Sequence, residues 1–427
     1  MTPETHETHG AGEAPGTGYL PPMLNPFDPG FHDDPYAQYR AVRETDPVHL
    51  TPLGAWALFR HADINRVLRD PRLSVEERYA NPLMRPDAEI AALYEQRGDR
   101  GMRSMLDLDP PDHHRLRRLV AKTFTPRMVE ELRPRVVELV DTILDEAAVR
   151  GGIDVITDFA FPLPFAVISE MLGIPDHGQR DQLRDWSGAI VKTFDPIISV
   201  EEVAAAITSG DSMFEYLTDV IAWKRANPAD DLLSALIAAE DDGDRLTEEE
   251  LISTAMLLFI AGHETTVNLI GNGVLALLRN PGELARLQER PEIIDNAVDE
   301  LLRFDAPVQF SRRITIDDYE IAGQGSETRV IPAGTFVMLC LGSGNHDPAV
   351  FGPTSETLDL TRENARDLLS FGGGFHHCLG NALARMEGQE AIGRFVARFP
   401  GLELIDEQQQ WNGRFVLRGL ATLPVKL

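Results

Sequence analysis

One segment limits the possible folds of this 427-residue chain more than any other, because residues 247–280 read as a single helix. Thr247 and Glu250 stand in "TEEE" with the spacing of an N-terminal capping box. Asn280-Pro281 supplies the stop signal at the other end. A helix of roughly 32 residues is about 48 Å long. It must cross a whole domain, and much of the chain must pack around it.

The middle of this helix carries an isolated carboxylate, since Glu264 is the only formal charge between residues 251 and 278. Burying a lone carboxylate is costly unless it is paired or protonated. In "AGHETT", Ala261 and Thr265 share one helix face beside Gly262, which predicts a flat surface for a planar or bulky group. The Thr265 hydroxyl can also bond to the backbone and deform the helix. The simpler alternative is a buried Glu264 held by a neighbouring basic side chain.

A second stretch, "SFGGGFHHCLG" at residues 370–380, combines glycines, two histidines and Cys378. Zinc, a redox couple and haem iron are all candidates for such a group. The chain has two cysteines, which excludes a disulfide scaffold and a four-cysteine zinc site and indicates a reducing compartment. Cys340 lies in the apolar run "TFVMLCLGS" and is predicted to be buried in a strand.

Two zinc motifs fail on spacing. A metalloprotease helix needs a second histidine four positions after the first, and in "HETTV" that position is Val267. His376, His377 and Cys378 are consecutive, and three consecutive residues cannot comfortably surround one ion.

Two further charged patterns lie outside these two stretches. "DELLRF" places Glu300 and Arg303 on one helix face, where they form either an ordinary surface ion pair or a buried bidentate pair. The segment "HHRLRRLVAKTFTPR" at 113–127 is basic within a chain of net charge −28. Helical spacing puts His113 and Arg117 on one face, suited to an anionic group inside the protein. The opposite face suits an acidic partner or plain solvation, and it carries Arg115, Arg118 and Lys122.

Composition and periodicity predict the class of fold. The chain is 43% hydrophobic and 25% charged, as in globular proteins, and its acidity argues against binding to nucleic acid or an anionic membrane. Residues 1–20 are expected to be a disordered tail and residues 21–427 a single domain, mainly α-helical with a small β portion. The end, "FVLRGLATLPVKL", reads as a hairpin. No basic signal peptide and no transmembrane helix are predicted, so we expect a cytoplasmic protein.

Taken together and in this order, the motifs resemble those of bacterial cytochromes P450, the haem-thiolate monooxygenases. "FGGGFHHCLG" matches F-G-x-G-x-H-x-C-x-G, "AGHETT" matches A-G-x-[DE]-T-T, and "ELLR" matches E-x-x-R. "DPPDHHRLRRLV" matches the helix that binds a haem propionate. The resemblance implies the P450 fold, with the long helix running over a haem b.

The resemblance also implies roles for individual residues. Cys378 would be the axial thiolate ligand of the iron, kept anionic by the N-terminal dipole of the helix that follows. Glu264 and Thr265 match the acid–alcohol pair that supplies protons during oxygen activation. Arg362 matches the third member of a structural triad with Glu300 and Arg303. Further residues that would contact the cofactor are Ala261, Phe371, Gly380 and the four propionate ligands His113, Arg117, Arg313 and His376.

The implied reaction is the insertion of one oxygen atom from O2 into a hydrophobic small molecule, by hydroxylation or epoxidation, in secondary metabolism or on a xenobiotic, steroid or terpenoid substrate. The electrons would come from a ferredoxin and its NAD(P)H-dependent reductase, with docking near Arg115, Arg118 and Lys122 of a monomeric enzyme. The alternatives are an H2O2-dependent peroxygenase and a non-enzymatic haem sensor or ligand-binding protein. The acid–alcohol pair would be redundant in both. The implied pocket residues are Met256, Phe259, Ala261, Val308, Phe310, Val416 and Leu417.

Overall fold

A computed structural model describes residues 22–52, 54–81, 88–97, 103–175, 178–239, 243–325 and 327–427. The N-terminal tail predicted at residues 1–20 lies outside these ranges. The helices are α1 (Tyr36–Thr45), α2 (His61–Arg69), α3 (Ala88–Arg97), α4 (Asp112–Thr123), α5 (Pro126–Arg150), α6 (Pro162–Leu172), α7 (Arg180–Ile190), α8 (Val200–Ala226), α9 (Leu232–Ala238), α10 (Glu248–Arg279), α11 (Pro281–Glu289), α12 (Ile294–Phe304), α13 (Leu341–Gly344), α14 (Pro348–Phe351) and α15 (Asn381–Arg398).

Short strands and helical turns complete the chain. The strands are β1 (Val48–Leu50), β2 (Trp56–Leu58), β3 (Leu73–Ser74), β4 (Gly152–Asp154), β5 (Phe310–Thr315), β6 (Tyr319–Ala322), β7 (Thr328–Ile331), β8 (Phe336–Cys340), β9 (Glu403–Leu404), β10 (Gln410–Trp411), β11 (Leu420–Thr422) and β12 (Pro424–Lys426). A π-helix spans Val155–Ala160, and 3-10 turns span Glu77–Tyr79, Met105–Asp107, Val191–Phe194, Pro291–Ile293, Ala365–Asp367 and Gly374–His376.

The long helix has the predicted ends. The backbone N–H of Glu250 donates to the Thr247 hydroxyl at 3.2 Å, and the Glu250 carboxylate accepts from the Thr247 N–H at 2.9 Å. Helix α10 then runs 32 residues to Arg279, with Asn280 as its C-cap. It packs against α6, α8, α12 and α15, so most of the main hydrophobic core surrounds it.

The largest sheet has the order β1-β2-β8-β5-β3, with β2 and β8 parallel and the other pairs antiparallel. Its strand β5 carries Arg313, one of the predicted propionate ligands. Cys340 ends β8 and is fully buried, which confirms its predicted place in a buried strand.

Two sequence-based expectations are wrong. The C-terminal segment is not a hairpin, because β11 pairs with β10 whereas β12 pairs with β4 and β9. The basic segment 113–127 is not one helix, because α4 ends at Thr123 and Thr125 caps α5 through its side chain. The pairing of such short strands is set by distant partners, whereas the break between α4 and α5 follows the local cap at Thr125 and Pro126.

One described segment, Val155–Leu172, is apolar and long enough to span a membrane when judged by length and composition alone. It contains the π-helix and α6, and 61% of it is buried inside the fold. Its packing is that of a core helix, since α6 lies against α5 and α10.

Candidate active site

The cysteine loop joins the 3-10 turn at Ala365–Asp367 to α15. Gly372 and Gly374 both have φ near +66°, in the left-handed region that favours glycine. A Cβ atom on Gly374 would also overlap the carbonyl oxygen of Leu68 at the end of α2. The loop folds back on itself, and the Cys378 N–H donates to the Phe371 carbonyl at 2.9 Å. The glycines therefore shape the turn that presents the Cys378 thiol.

The electrostatics of Cys378 differ from the expectation. Helix α15 begins after Gly380, and burial raises the pKa of the thiol above its ordinary value. A hydrogen bond from the Gly380 N–H and the guanidinium groups of Arg117 and Arg385 act in the opposite direction. The N–H at the start of α15 thus lowers the thiol pKa in the predicted direction, but burial outweighs it in the chain alone. Metal ligation deprotonates a thiol outright, and the Gly380 N–H and the two guanidinium charges would then stabilise the thiolate.

The Phe371 side chain lies on the α15 side of the loop, where the Arg385 guanidinium sits 4.4 Å from the ring centroid. Arg385 in turn donates to the buried carboxylate of Asp299 at 2.7 Å. The aromatic ring beside the thiol is therefore fixed by a cation with its own partner.

A cationic cluster lies beside this loop. Arg117 on α4 donates from Nη2 to the His377 carbonyl at 2.6 Å. The ring of His113, one turn earlier on α4, lies 4.4 Å from the ring of His376 between centroids. Arg313 on β5 is 4% exposed, and burial lowers the pKa of its guanidinium to about 10. The structure thus brings together all four residues that the resemblance assigns to the propionates.

Asp109 acts on Arg313 within this cluster, whereas the pKa values of His113 and His376 are shifted by burial and by cations. Burial, with help from neighbouring cations, lowers the pKa of His113 to about 4 and that of His376 to about 3. Both ring nitrogens of His113 and Nε2 of His376 are buried without a hydrogen-bond partner. Each such group costs about 1–3 kcal/mol. Two carboxylates would supply the missing acceptors, so the site fits the propionates of a haem.

Helix α10 presents the acid and the alcohol. In the middle of the helix, accessible surface remains at Gly262 and at a stripe with helical spacing formed by Leu257, Leu258, Ala261, Glu264 and Thr265. The Thr265 hydroxyl donates to the Ala261 carbonyl at 2.9 Å, the local backbone bond that its residue type predicts. The apolar members Leu257 and Leu258 add to the individual pocket residues that the resemblance implies.

Gly262 allows α6 to pack closely against α10. A Cβ atom there would lie 2.9 Å from Cδ1 of Ile168 on α6. Gly262 itself keeps some accessible surface, so its place on a flat ligand surface stays a prediction. Ala261 and Thr265 remain on the accessible stripe.

Glu264 has two basic neighbours. Arg414 donates from Nη1 to Oε2 at 3.2 Å, and Nε2 of His263 lies 3.6 Å from Oε1. Burial raises the pKa of Glu264, but His263 and Arg414 outweigh burial, so that this pKa lies below its usual value. The carboxylate is both placed at the site and held by a basic side chain, which combines the two interpretations that the sequence allowed. Arg414 was missed because it stands 150 residues away along the chain.

Glu300, Arg303 and Arg362 meet in a buried triad. Arg303 donates to the Glu300 carboxylate at 2.7 and 2.8 Å, and Nε of Arg362 is 3.1 Å from both oxygens. Glu300 and Arg303 are fully buried. Both guanidinium groups also bind backbone carbonyls of the segment 345–357 that leads toward the cysteine loop. The triad therefore holds that segment against α12.

The implied pocket residues divide into two groups. Ala261, Val308 and Val416 retain accessible surface. Phe259 packs against Phe165 and His263 on the far side of α10, and Phe310 stacks on Phe415 at 4.3 Å between centroids. For these two rings the pocket assignment is wrong, because core partners cover them.

Met256 and Leu417 bury almost all of their surface in the main core. Leu417 forms an isolated β-bridge with Val308, beside the accessible positions. Substrate contact by Met256 and Leu417 stays a prediction.

The outer face of α4 is only partly available. Arg115 donates to Glu250 at the start of α10 and lies 3.4 Å from Asp244. The Arg115 side chain is 29% exposed, and its part in a docking surface stays a prediction. Arg118 and Lys122 are exposed. No group of three or more His, Cys, Asp or Glu side chains suited to a metal ion occurs in the described ranges.

Comparison with known proteins agrees with this geometry. Residues 84–419 match the family model described as Cytochrome P450. The chain is 41% identical over 426 residues to "Cytochrome P450 107B1" of Saccharopolyspora erythraea, covering 96% of this chain and 99% of that protein. It is 42% identical over 412 residues to "Vitamin D(3) 25-hydroxylase" of Pseudonocardia autotrophica, covering 94% and 96%. The solved structure of PksS, the cytochrome P450 of the Bacillus subtilis bacillaene polyketide synthase, superposes with a TM-score of 0.85 at 37% identity, covering 95% of this chain and 100% of that one.

Proposed function

The chain belongs to the cytochrome P450 family of haem-binding monooxygenases, and from this premise we propose that it inserts one oxygen atom from O2 into a hydrophobic small molecule. The observation that carries the proposal is the cluster of His113, Arg117, Arg313 and His376 beside Cys378. The cluster carries two guanidinium groups, its members His113 and Arg313 are buried, and buried ring nitrogens of its histidines lack hydrogen-bond partners, as expected of a site for two carboxylates.

When bound, the haem supplies the activation of oxygen. Cys378 is the residue that would ligate the iron, with the Gly380 N–H donating to its sulfur and the Arg117 charge acting on it from nearby. Both groups would limit how much electron density the thiolate donates to the metal.

The remaining residues manage protons. Glu264 is ionised at neutral pH because its pKa is lowered, so it can take a proton at Oε1 or Oε2 from solvent. The Thr265 hydroxyl donates to the Ala261 carbonyl, which leaves its oxygen lone pairs free to accept a hydrogen bond from a water. A carboxylate and a hydroxyl on adjacent residues of one accessible stripe can pass a proton into the site by general acid–base steps.

The test separates O2-dependent from peroxide-dependent chemistry. Thr265→Ala is expected to lower product formation with ferredoxin and reductase about 100-fold. The same variant should keep product formation with added H2O2 within about threefold, because peroxide brings its own protons. Equal loss in both assays would contradict the proton role, and a wild type active only with H2O2 would support the peroxygenase instead.

We propose a ferredoxin as electron donor, docking on the exposed end of α4 at Arg118 and Lys122. Reversing the charge with Lys122→Glu is expected to raise KM for the ferredoxin several-fold at low salt and less at high salt. Lys426→Glu is the matched control, because Lys426 is exposed on β12 and pairs with Glu403. Equal effects of the two variants would contradict this docking site.

The substrate class follows from the accessible residues, which are Leu257, Leu258, Ala261, Val308 and Val416. They favour a mid-sized apolar molecule, and relatives named for vitamin D(3) and for polyketide biosynthesis support a steroid-like, terpenoid or polyketide compound. A ligand screen read by the shift of the haem absorption band on substrate entry would test this. Binding restricted to small polar compounds would contradict it.

A further inference from the structure

We propose that Arg414 is a positioning residue for Glu264, holding the carboxylate at its place on α10 and tying it to helix α7. The proposal rests on the proton role proposed above for Glu264. Arg414 stands in the turn between β10 and β11, and nothing in the local sequence links it to α10.

The first support is the contact itself. Nη1 of Arg414 lies 3.2 Å from Oε2 of Glu264, and the two side chains are only 17% and 16% exposed. An ion pair so shielded from water is stronger than a surface pair, and one guanidinium donor fixes one carboxylate oxygen. His263 approaches the other oxygen at 3.6 Å. Glu264 is thus held from two sides.

The second support is that both partners of Glu264 contact consecutive residues of α7. Arg414 donates from Nη2 to the Gly188 carbonyl at 3.4 Å. His263 Nε2 lies 3.1 Å from the Ser187 hydroxyl, while its Nδ1 is 2.8 Å from the Phe259 carbonyl. The orientation of Glu264 is therefore linked to the position of α7 through two separate contacts.

The third support is that the turn carrying Arg414 is itself anchored. The N–H groups of Phe415 and Val416 donate to Oδ1 of Asp195 at 3.1 and 2.7 Å, just beyond the 3-10 turn that follows α7. The N–H of Arg414 donates to Asn412 at 3.0 Å. The backbone around Arg414 is thus fixed by contacts that do not involve Glu264, as a positioning residue requires.

The charged and titratable groups that face Glu264 in the described part of the chain are His263 on α10 and Arg414 from the turn. Asp195 acts on Arg414 from the α7–α8 connection and lies near His32. Without the Arg414 charge, His263 alone would counteract the effect of burial on the pKa of Glu264. The pKa of Glu264 should then rise, because burial disfavours the charged form.

The experiment titrates the Glu264 carboxyl by infrared difference spectroscopy in the haem-loaded enzyme, with the band identified by its loss in Glu264→Gln. Arg414→Gln is expected to raise the pKa of Glu264 by about one unit or more. It should also lower the yield of product per electron about tenfold with the affinity for substrate within about twofold. Arg414→Lys, which keeps a cation, should recover at least half of both effects. Arg184→Gln on α7, a half-exposed arginine that contacts Asp181 and Asp185, is the matched control and should change neither.

The outcomes separate the two proposals. Glu264→Gln with full product yield would contradict the proton role of Glu264. Glu264→Gln impaired, but Arg414→Gln with an unchanged titration and yield, would overturn the role of Arg414 alone. If the Arg414→Gln variant does not bind haem, the same measurements on Arg414→Lys decide the test. A small upward shift with reduced yield would then support the proposal, and wild-type behaviour would overturn it.

Discussion

The imidazole rings of His113 and His376 lie 4.4 Å apart between centroids, and three of their four ring nitrogens are buried without a hydrogen-bond partner. They belong to different parts of the chain, α4 and the 3-10 turn before Cys378. Unpaired buried nitrogens destabilise the chain alone. Their presence beside Arg313 is explained if an anionic cofactor completes the fold, so that haem binding and stability are coupled.

Loss of one buried cation should weaken haem retention. Arg313→Met removes a guanidinium that is 4% exposed, and a hydrogen bond to a charged group contributes about 1.5–3 kcal/mol. The rate of haem transfer to apomyoglobin should rise about tenfold or more. The neighbouring Arg312→Met removes a half-exposed arginine paired with Glu77, and its transfer rate should match the wild type. Equal rates for the two variants would contradict the propionate assignment.

The haem-free protein should lose stability as the pH falls. The pKa values of His113 and His376 are lowered to about 4 and about 3 from 6.5, so between pH 6.5 and 4 only the unfolded chain takes up these protons. The free energy of unfolding should drop by about 1 kcal/mol per pH unit for each imidazole. Urea unfolding across this range should show a shallower slope for the His113→Phe, His376→Phe double variant. Haem should also flatten the slope, and identical slopes in all three forms would contradict this account.

Breaking the triad should be costly. Glu300→Gln leaves the buried Arg303 and Arg362 without their counter-charge, and such a loss costs about 3–5 kcal/mol. Arg127→Ala breaks an exposed pair with Glu131 in which Arg127 is 90% exposed, and should cost under about 0.5 kcal/mol. Urea unfolding of both variants measures the difference. Similar midpoints would show that the triad carries little of the stability.

The two glycines with positive φ in the cysteine loop should respond differently to alanine. Gly372→Ala meets open space and should cost only the backbone strain of about 1–2 kcal/mol. Gly374→Ala would in addition collide with the Leu68 carbonyl, which is backbone and cannot rotate away. Haem content after purification should stay near wild type for the first variant and fall severalfold for the second. Equal haem content in the two variants would mean that the end of α2 moves away from the added methyl group at little cost.

Local signals explain what the sequence could predict. The ends of α10, the pairing of Glu300 with Arg303 and the burial of Cys340 depend on neighbours within one element, and all appear in the structure. The burial of a lone carboxylate on α10 was equally visible as a pattern, but its partner Arg414 was not.

Long-range contacts account for the rest. Strands β11 and β12 pair with different distant strands, so their proximity in sequence suggested a hairpin that does not form. The resemblance placed Phe259 and Phe310 in the substrate pocket, whereas contacts with Phe165 and Phe415 direct the two rings into the core. The thiol pKa of Cys378 depends on burial by the whole fold, which outweighs the local helix dipole.

The central claim is that Cys378 ligates a haem iron, and the spectrum of the reduced carbonyl complex tests it most directly. The wild type and Cys340→Ala should show a thiolate-type Soret band, because Cys340 is fully buried at the end of β8. Cys378→Ala should lose that band even if it retains haem. A thiolate-type band that survives in Cys378→Ala, or a wild type that binds no haem, would contradict the account.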